Sequence, residues 1–294
     1  MIERFAYAKI NLFLDIKGIR GDGYHNIVSV MQTVDWADKI TIDKIASKEI
    51  ALTCSDETIP IDRRNTVYRA AELFLAQITD PNGVRLHIEK HIPSAAGLAG
   101  GSADAAATLL GLNDIFGKPF SMDQLLKLGR SVGADVPFCL LGGTKLVSGI
   151  GEVIEPFPMM PSCYLVCAKL GEGVSTPLAY RALDERYSGF PRDAVKYEKL
   201  ACLREEFERG SLKRLSDGIY NIFEAQIEQI HSSVSMLKST LRYLGANVTM
   251  MSGSGPAVFG VFDTQESAEN GCAELRRLGA ACEVCRPISY GGEQ

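Results

Sequence analysis

The stretch Pro93 to Leu110 combines residue types that suit the binding of a phosphate group. Gly97, Gly100 and Gly101 lack a Cβ atom, so their backbone N–H groups can approach a ligand closely. Ser102 is predicted to cap the apolar helix that follows, and the start of a helix offers unpaired N–H groups and the positive end of its dipole. We therefore predict a phosphate-binding loop, with a tight turn of small residues as the alternative.

Two common nucleotide-binding patterns do not fit this stretch. A Walker motif requires a lysine, then serine or threonine, after its last glycine, and residues 93–110 contain no lysine. A Rossmann fingerprint requires Gly-x-Gly-x-x-Gly, whereas these three glycines are spaced Gly-x-x-Gly-Gly. A phosphate bound here is therefore held in neither of these ways.

Polar side chains on a predicted strand and in a turn could supply chemistry beside this loop. Lys9, Asn11 and Asp15 fall at odd spacing on one face of the strand predicted over residues 5–16. A lysine and an asparagine on a half-buried strand are costly unless they meet a ligand or an ion pair. The alternative is an exposed lysine on an edge strand. Asp135, in a turn between glycine and proline, either caps the backbone or serves as a base beside a cation such as Lys9.

Aromatic and histidine residues offer a second kind of site. Tyr24 and His25 follow a glycine-rich turn, and a ring beside an imidazole can stack on and hydrogen-bond to a heterocycle. The alternative is a half-buried hairpin corner. His87 and His91 are four residues apart on a predicted strand, about 13 Å, which is too far for one shared metal ion.

The elements that must position these residues alternate between strands and helices, with a soft domain boundary near residues 158–162 and a frayed end at 291–294. Strands are predicted over residues 5–16, 27–34, 39–43, 49–54, 84–92, 164–168, 248–251, 257–262 and 281–286, with a hairpin over 144–155. Helices are predicted over residues 66–78 (capped by Asn65), 102–116, 121–132, much of 179–213, 224–244 and 264–278.

Composition indicates an ordinary globular protein. The 294 residues are 46% hydrophobic and 23% charged, with a net charge of -5, which gives no reason to expect nucleic-acid or membrane binding. The sequence has neither a long apolar run nor the layout of a signal peptide, so we expect a cytoplasmic protein. Cys282 and Cys285 form a lone Cys-x-x-Cys, and zinc sites usually need four ligands, which disfavours a metal role.

Three separated segments together resemble the GHMP small-molecule kinases. They are Ala8-Lys9-Ile10-Asn11-Leu12, residues 93–107 and Ser252-Gly253-Ser254-Gly255-Pro256, in the family's order and spacing. The resemblance covers nearly the full chain. It implies an α+β fold in two lobes: a ribosomal S5 domain 2-like N-terminal lobe over residues 1–159, carrying the glycine loop, and a ferredoxin-like C-terminal lobe over 160–294 that closes over it.

The resemblance also implies transfer of the ATP γ-phosphoryl group to the hydroxyl of a small molecule. Asp135 matches the catalytic base and Lys9 the cation beside it. Mg²⁺ is expected with the triphosphate; its protein ligands are not assigned, and Ser102 is the best candidate. The ATP-binding residues implied are Pro93, Ser94, Ala95, Ala96, Gly97, Leu98, Ala99, Gly100, Gly101, Ser102 and Ala103, with Asn65 and Lys90 on the adenosine side.

Within the family, the segments 22–25 and 133–137 resemble members whose acceptor is diphosphocytidyl-methylerythritol, an isoprenoid precursor phosphorylated at its 2-hydroxyl. Tyr24 and His25 match positions that hold the cytosine ring, with Tyr180 on its other face. Thr176 matches a substrate contact, and Asn11 is expected near the reacting hydroxyl. The alternatives are a GHMP kinase for another alcohol and a catalytically silent protein of this fold. A monomer and a homodimer remain equally open.

One departure concerns the glycine loop itself. Many members have glycine where this chain has Ala95, Ala96 and Ala99, and Ser-Asn where it has Ala103-Asp104. Extra methyl groups restrict the backbone, but three glycines remain, so we expect the loop to persist. Asp104 is expected to point away from a bound triphosphate, because like charges repel.

Overall fold

Two β-sheets and the helices that cover them form the protein in this computed structural model, which describes residues 1–187 and 195–289. The larger sheet is built mainly from the first half of the chain and the smaller sheet from the second half. The predicted boundary between residues 159 and 160 falls between the last hairpin of the first sheet and the first strand of the second.

The larger sheet has seven strands, with the path β3-β4-β2-β1-β8 and with β5 paired to β2 and to β6. Its strands are β1 (Ile2–Ile19), β2 (His25–Ile45), β3 (Ile50–Cys54), β4 (Gly83–Glu89), β5 (Thr144–Gly149), β6 (Val153–Pro156) and β8 (Tyr220–Asn221). The antiparallel pair β1 and β2 is the spine of this sheet, and the strands predicted at 27–34 and 39–43 are one continuous strand. β8 comes from the second half of the chain and pairs with β1 at Phe13 and Leu14.

Four helices cover the larger sheet: α1 (Thr66–Leu75), α2 (Gly100–Ile115), α3 (Met122–Val132) and α4 (Val136–Leu141). The Asn65 side chain accepts from the Val67 N–H and caps α1, as predicted. Apolar residues of these helices pack against β2 and β4 in one buried cluster. Because α2 is buried on nearly all sides and rich in alanine, it lies close to the sheet and fixes the loop that precedes it.

The smaller sheet has the antiparallel order β11-β7-β10-β9. Its strands are β7 (Tyr164–Lys169), β9 (Val248–Met251), β10 (Val258–Phe262) and β11 (Ala281–Cys285). In chain order this arrangement is 4-1-3-2, with α10 (Gln265–Arg277) between the last two strands, which is the ferredoxin-like lobe expected from the sequence. Cys282 and Cys285 lie on β11, buried, and contact the different cysteines Cys272 and Cys167.

The remaining helices connect β7 to β9: α5 (Thr176–Arg186), α6 (Tyr197–Glu208), α7 (Leu215–Gly218), α8 (Glu224–Ile230) and α9 (Ser232–Tyr243). The helical stretch predicted over 179–213 is partly described by α5 and α6, while residues 188–194 lie outside the described residues. The frayed end predicted at 291–294 also lies outside them. No described helix has the length and apolar character needed to span a bilayer.

The single helix predicted over residues 224–244 is wrong, because the chain turns at His231. Lys238 of α9 reaches back to the carboxylates of Glu224 and Glu228 on α8, at 2.5 and 2.7 Å. In one straight helix, Glu224 and Lys238 would stand about 21 Å apart. The ion pair of the largely buried Lys238 therefore accompanies a sharp reversal that the hydrophobic spacing does not reveal.

Candidate active site

A cleft of about 960 Å³ lies where the glycine-rich segments of both sheets meet. Its walls come from the loop before α2, here called the glycine loop (residues 93–103), from β1, from the start of α4, from α5 and from residues 253–254. Residues from three segments that are distant in the sequence therefore line the same cleft.

The glycine loop turns into α2 earlier than predicted. The helix begins at Gly100, and its N-cap is Ala99, which adopts a left-handed conformation with φ 56°. The prediction that Ser102 is the N-cap is therefore wrong. Ser102 is the third residue of the helix, because the turn at Ala99 already directs its carbonyl to the N–H groups of Ser102 and Ala103.

Most residues of the glycine loop line the cleft, and two do not. Leu98 and Ala103 are buried in separate apolar clusters. The residues that line the cleft are Pro93, Ser94, Ala95, Ala96, Gly97, Ala99, Gly100, Gly101 and Ser102. Ala95 and Ala99 both have positive φ, 50° and 56°, so the loop adopts left-handed conformations at two residues that carry a methyl group, at a cost in backbone strain.

A second glycine loop (Ser252–Pro256) packs directly on the first. A Cβ at Gly97 would lie 2.2 Å from the Ser252 carbonyl oxygen, a distance that only glycine tolerates. The Ser252 hydroxyl donates to the Gly97 carbonyl at 3.0 Å and accepts from the Asn11 N–H at 3.2 Å. The buried Asn221 amide donates to the carbonyls of Met251 and Gly253 and so holds the second loop in place.

The ammonium of Lys9 lies at the centre of a polar group on β1. It donates to the Asn11 side-chain oxygen at 2.6 Å and to the Gly97 carbonyl at 3.0 Å, and it is 3.8 Å from the Asp135 carboxylate. Lys9 is only 4% exposed, so the alternative of an exposed edge-strand lysine is excluded. Asn11 is fixed in turn by donating to Ser29 at 2.8 Å.

Asp135 occupies the N-cap position of α4, yet its side chain makes no capping hydrogen bond. The alternative, in which the Asp135 side chain caps the backbone, is therefore wrong. The carboxylate lines the cleft and is about one-third exposed, beside Lys9. An oxygen so placed is available to a ligand hydroxyl.

Asp15 does not join this group, although the sequence predicts that it shares a face with Lys9 and Asn11. A β-bulge between Asn11 and Phe13 shifts the register of β1 against β2, which reverses the faces of residues 13–16, up to the next irregularity in the strand. Leu14 therefore lines the cleft. The Asp15 carboxylate is buried elsewhere, where it accepts from the N–H of Lys196, and burial raises its pKa.

An aromatic corner closes one part of the cleft. The rings of His25 and Tyr180 have centroids 4.8 Å apart, and the Tyr180 ring meets Phe223 edge-on at the same distance. Burial, with a contribution from the Asp135 charge, raises the pKa of the Tyr180 phenol, which stays protonated. Tyr24 lines the same cleft and is 61% exposed, which leaves its ring face available to a ligand.

Several cleft residues were not found from the sequence. The Asp184 carboxylate accepts from His25 Nε2 at 2.6 Å, and Ser254 exchanges a 2.9 Å hydrogen bond with Thr176, the predicted substrate contact. Arg64, Arg181 and Phe223 also line the cleft. No local pattern marks Asp184, Arg181 and Phe223, because α5 and α8 bring them to the site by packing in one buried cluster with β1 and β2. Ser254 lies in the second glycine loop, and Arg64 lies just before α1.

The two residues predicted on the adenosine side are both engaged within the protein. The Asn65 side chain caps α1 and donates to the Pro60 carbonyl. The Lys90 ammonium lies between the carboxylates of Asp38 and Asp104, with the Asp104 contact at 2.8 Å. Both residues line the cleft.

The oxygen atoms of the cleft suit a magnesium ion that is held mainly by phosphate. Mg²⁺ prefers oxygen ligands and keeps several waters or phosphate oxygens. The described residues contain no cluster of three or more histidine, cysteine or acidic side chains that could hold an ion by themselves. The Ser102 hydroxyl and the Asp135 carboxylate line the cleft, so the donor set fits Mg²⁺ brought in with a nucleotide.

Comparison with known proteins agrees with this geometry. The model of the GHMP kinases N-terminal domain matches residues 65–143, and that of the GHMP kinases C-terminal domain matches residues 203–281. A 4-diphosphocytidyl-2-C-methyl-D-erythritol kinase of Caldicellulosiruptor bescii is 43% identical over 271 residues, which are 92% of this chain and 93% of the relative. The kinase of the same name from Bacillus subtilis is 37% identical, over 98% of this chain and 96% of its own.

Solved structures point the same way. The crystal structure of a 4-(cytidine 5'-diphospho)-2C-methyl-D-erythritol kinase superposes with a TM-score of 0.81 and 32% identity, over 99% of this chain and all of that one. A mevalonate kinase from L. major, with a TM-score of 0.75 over 98% of this chain and 96% of its own, shares only 15% identity and supports the fold alone. The chain therefore belongs to the GHMP kinase family.

Proposed function

We propose that this protein transfers the γ-phosphoryl group of ATP to the 2-hydroxyl of 4-diphosphocytidyl-2-C-methyl-D-erythritol, a step of the non-mevalonate route to isoprenoid precursors. The observation that carries the proposal is one cleft that holds both a phosphate-type glycine loop and an aromatic corner suited to a base. The relatives of that name, aligned over nine tenths of the chain, support the same substrate.

The ATP phosphates lie against the glycine loop in this proposal. The first turn of α2 presents unpaired N–H groups and the positive end of its dipole to the cleft. Bound Mg²⁺ would neutralise charge on the triphosphate, and the Ser102 hydroxyl is the protein oxygen that would hold the ion. The loop residues themselves supply position, which is the main protein contribution to phosphoryl transfer.

Asp135 and Lys9 carry the acceptor chemistry. Asp135 accepts the proton of the substrate hydroxyl while the hydroxyl oxygen forms a bond to the γ-phosphorus. The bond between the γ-phosphorus and the β,γ-bridging oxygen breaks, which releases ADP. The 3.8 Å separation of Lys9 from Asp135 is an ion-pair distance, so the carboxylate is held without surrendering its lone pairs to a hydrogen bond. The Lys9 charge also stabilises negative charge on the transferring group.

The aromatic corner identifies the acceptor. Tyr24, His25 and Tyr180 offer ring faces and one imidazole edge to a pyrimidine, while Asn11 and Thr176 face the part of the ligand nearer to Asp135. A mevalonate- or homoserine-type alcohol has no ring to occupy this corner. The cytoplasmic location and a monomeric or homodimeric state stay predictions.

The test is an ATP-consumption assay of the purified protein with three acceptors: 4-diphosphocytidyl-2-C-methyl-D-erythritol, mevalonate and homoserine. We expect turnover with the first alone, and ³¹P NMR of the product should show a new phosphomonoester beside the intact diphosphate. Turnover with mevalonate or homoserine and none with the cytidylyl compound would sink the proposal. No turnover with any acceptor would favour a silent binding protein.

A further inference from the structure

Three buried charged residues form a cluster at the base of the glycine loop. Asp38 belongs to the central strand β2 and is fully buried, Lys90 follows the end of β4, and Asp104 lies in the second turn of α2. The side chains of Lys90 and Asp104 are 7% and 5% exposed. The Lys90 ammonium contacts a carboxylate oxygen of each acid, with the Asp104 oxygen at 2.8 Å.

The cluster joins the two ends of the glycine loop. Lys90 lies three residues before the loop begins at Pro93, and Asp104 directly follows its end at Ala103. The second oxygen of Asp38 accepts from the N–H groups of His91 and Ile92, at 2.5 and 2.8 Å. The incoming chain is thus fixed to β2, and the hydrogen bond that the Lys90 ammonium donates to Asp104 ties the outgoing helix to it.

We infer that Asp104 is a positioning residue for ATP: through Lys90 and Asp38 it closes the base of the glycine loop and holds the loop in its binding conformation. The strain in the loop makes such a closure necessary. Ala95 and Ala99 both occupy left-handed conformations, which cost about 1–2 kcal/mol each for a residue with a Cβ. Without the contacts at its base, the loop can relax out of these two left-handed conformations.

The charges of the cluster are unbalanced, and this distinguishes it from an ordinary salt bridge. One ammonium serves two buried carboxylates, and burial, reinforced by the Asp38 charge, raises the pKa of Asp104 to about 8. One oxygen of Asp104, Oδ1, has no hydrogen-bond partner among the described residues. A proton on this acid removes the like-charge repulsion that would otherwise act on a triphosphate.

The experiment compares Asp104→Ala, Asp104→Ser and Asp104→Asn by calorimetric titration with a non-hydrolysable ATP analogue and Mg²⁺, without acceptor. Alanine and serine cannot reach the Lys90 ammonium, and we expect the Kd of the analogue to rise about tenfold. Asparagine keeps an oxygen at the same distance, so its Kd should stay within about threefold of wild type. In the steady state the KM for ATP should change in parallel, with kcat and the KM of the acceptor retained.

The matched control is Asp114→Asn, which removes a carboxylate from the other end of α2, where it pairs with Arg4. We expect it to lower the melting temperature without changing the Kd of the ATP analogue. If Asp104→Ala does not fold, the serine variant decides. The inference is overturned if Asp104→Ser, and Asp104→Ala where it folds, bind the analogue as tightly as Asp114→Asn does. It rests on the proposed function, and wild-type protein that binds no analogue would overturn both together.

Discussion

The pair formed by Lys9 and Asp135 shows how two residues 126 positions apart meet at one site. Each alone has an ordinary explanation, since a strand lysine can be solvated and an aspartate in a turn can cap a helix. The structure removes both explanations, because Lys9 is buried and Asp135 makes no capping bond. What remains is a carboxylate that is partly exposed to the cleft and steadied by a fixed cation.

Replacing Asp135 with asparagine tests its role as a base. The amide has nearly the same size but cannot take up the hydroxyl proton at neutral pH, so we expect kcat to fall about a thousandfold. The Kd for ATP should stay within about threefold, because in the proposed function the phosphates are held by the glycine loop. Undiminished turnover in a coupled assay contradicts the assignment, and a lost ATP affinity would place Asp135 among the nucleotide contacts instead.

Asp184 is predicted to act through His25. Its carboxylate lies 2.6 Å from His25 Nε2, which orients the imidazole against the Tyr180 ring. Asp184→Ala should raise the KM of the cytidylyl acceptor about tenfold, the usual loss for one charged hydrogen bond, and leave the KM for ATP unchanged. Glu185→Ala removes the same charge from an exposed neighbouring position of α5 and is the matched control. Equal effects of the two variants would mean that Asp184 acts only through its negative charge and not through its contact with His25.

At the scale of elements, the site depends on two glycine loops in contact. The first belongs to the turn into α2 and the second joins β9 to β10, and the Ser252 hydroxyl and the Ala257 N–H bond to the carbonyls of Gly97 and Ala96. The second loop is itself held by Asn221. The cleft therefore exists only when elements of both sheets are assembled.

Gly97→Ala tests this contact. A Cβ at Gly97 meets the Ser252 carbonyl oxygen at 2.2 Å, in a residue with φ +82°, so we expect backbone strain of about 1 kcal/mol and a further 1–3 kcal/mol from the clash. Activity should fall more than about tenfold, because the loops must separate. Gly117→Ala is the matched control, with φ +83° and no atom within 4 Å. It should show the backbone cost alone, in urea unfolding, with activity retained.

For the whole molecule, the sequence predicts the helices and strands well and the long-range contacts between them poorly. Hydrophobic periodicity and capping signals place most strands and helices, including the Asn65 cap, and the likeness to a family supplies the pairing of Lys9 with Asp135. The bulge that turns Asp15 away from the cleft leaves no trace in the spacing. The contact of His25 with Asp184, 159 residues apart, leaves no trace in the spacing either, and neither does the reversal at His231. Long-range packing decides all three features.

The raised pKa of Asp104 predicts that the stability of the whole protein depends on pH. Its pKa is raised from 3.8 to about 8 in the folded chain, chiefly by burial and further by Asp38, against the opposing charge of Lys90. Between these two pH values the folded chain holds a proton that the unfolded chain has released. The free energy of unfolding contributed by this group therefore falls as the pH rises from about 4 to about 8, and is constant above that.

Asp104→Asn removes this titration while keeping a side chain of the same shape. We expect the free energy of unfolding of the variant, relative to wild type, to increase steadily between pH 5 and pH 8, with urea unfolding as the measurement. Asp114→Asn, measured beside it, gives the baseline for loss of a carboxylate from α2. A relative stability of Asp104→Asn that is flat across this range, or that declines, means that Asp104 is ionised throughout. The cluster at the base of the glycine loop would then bring an uncompensated negative charge to the ATP site.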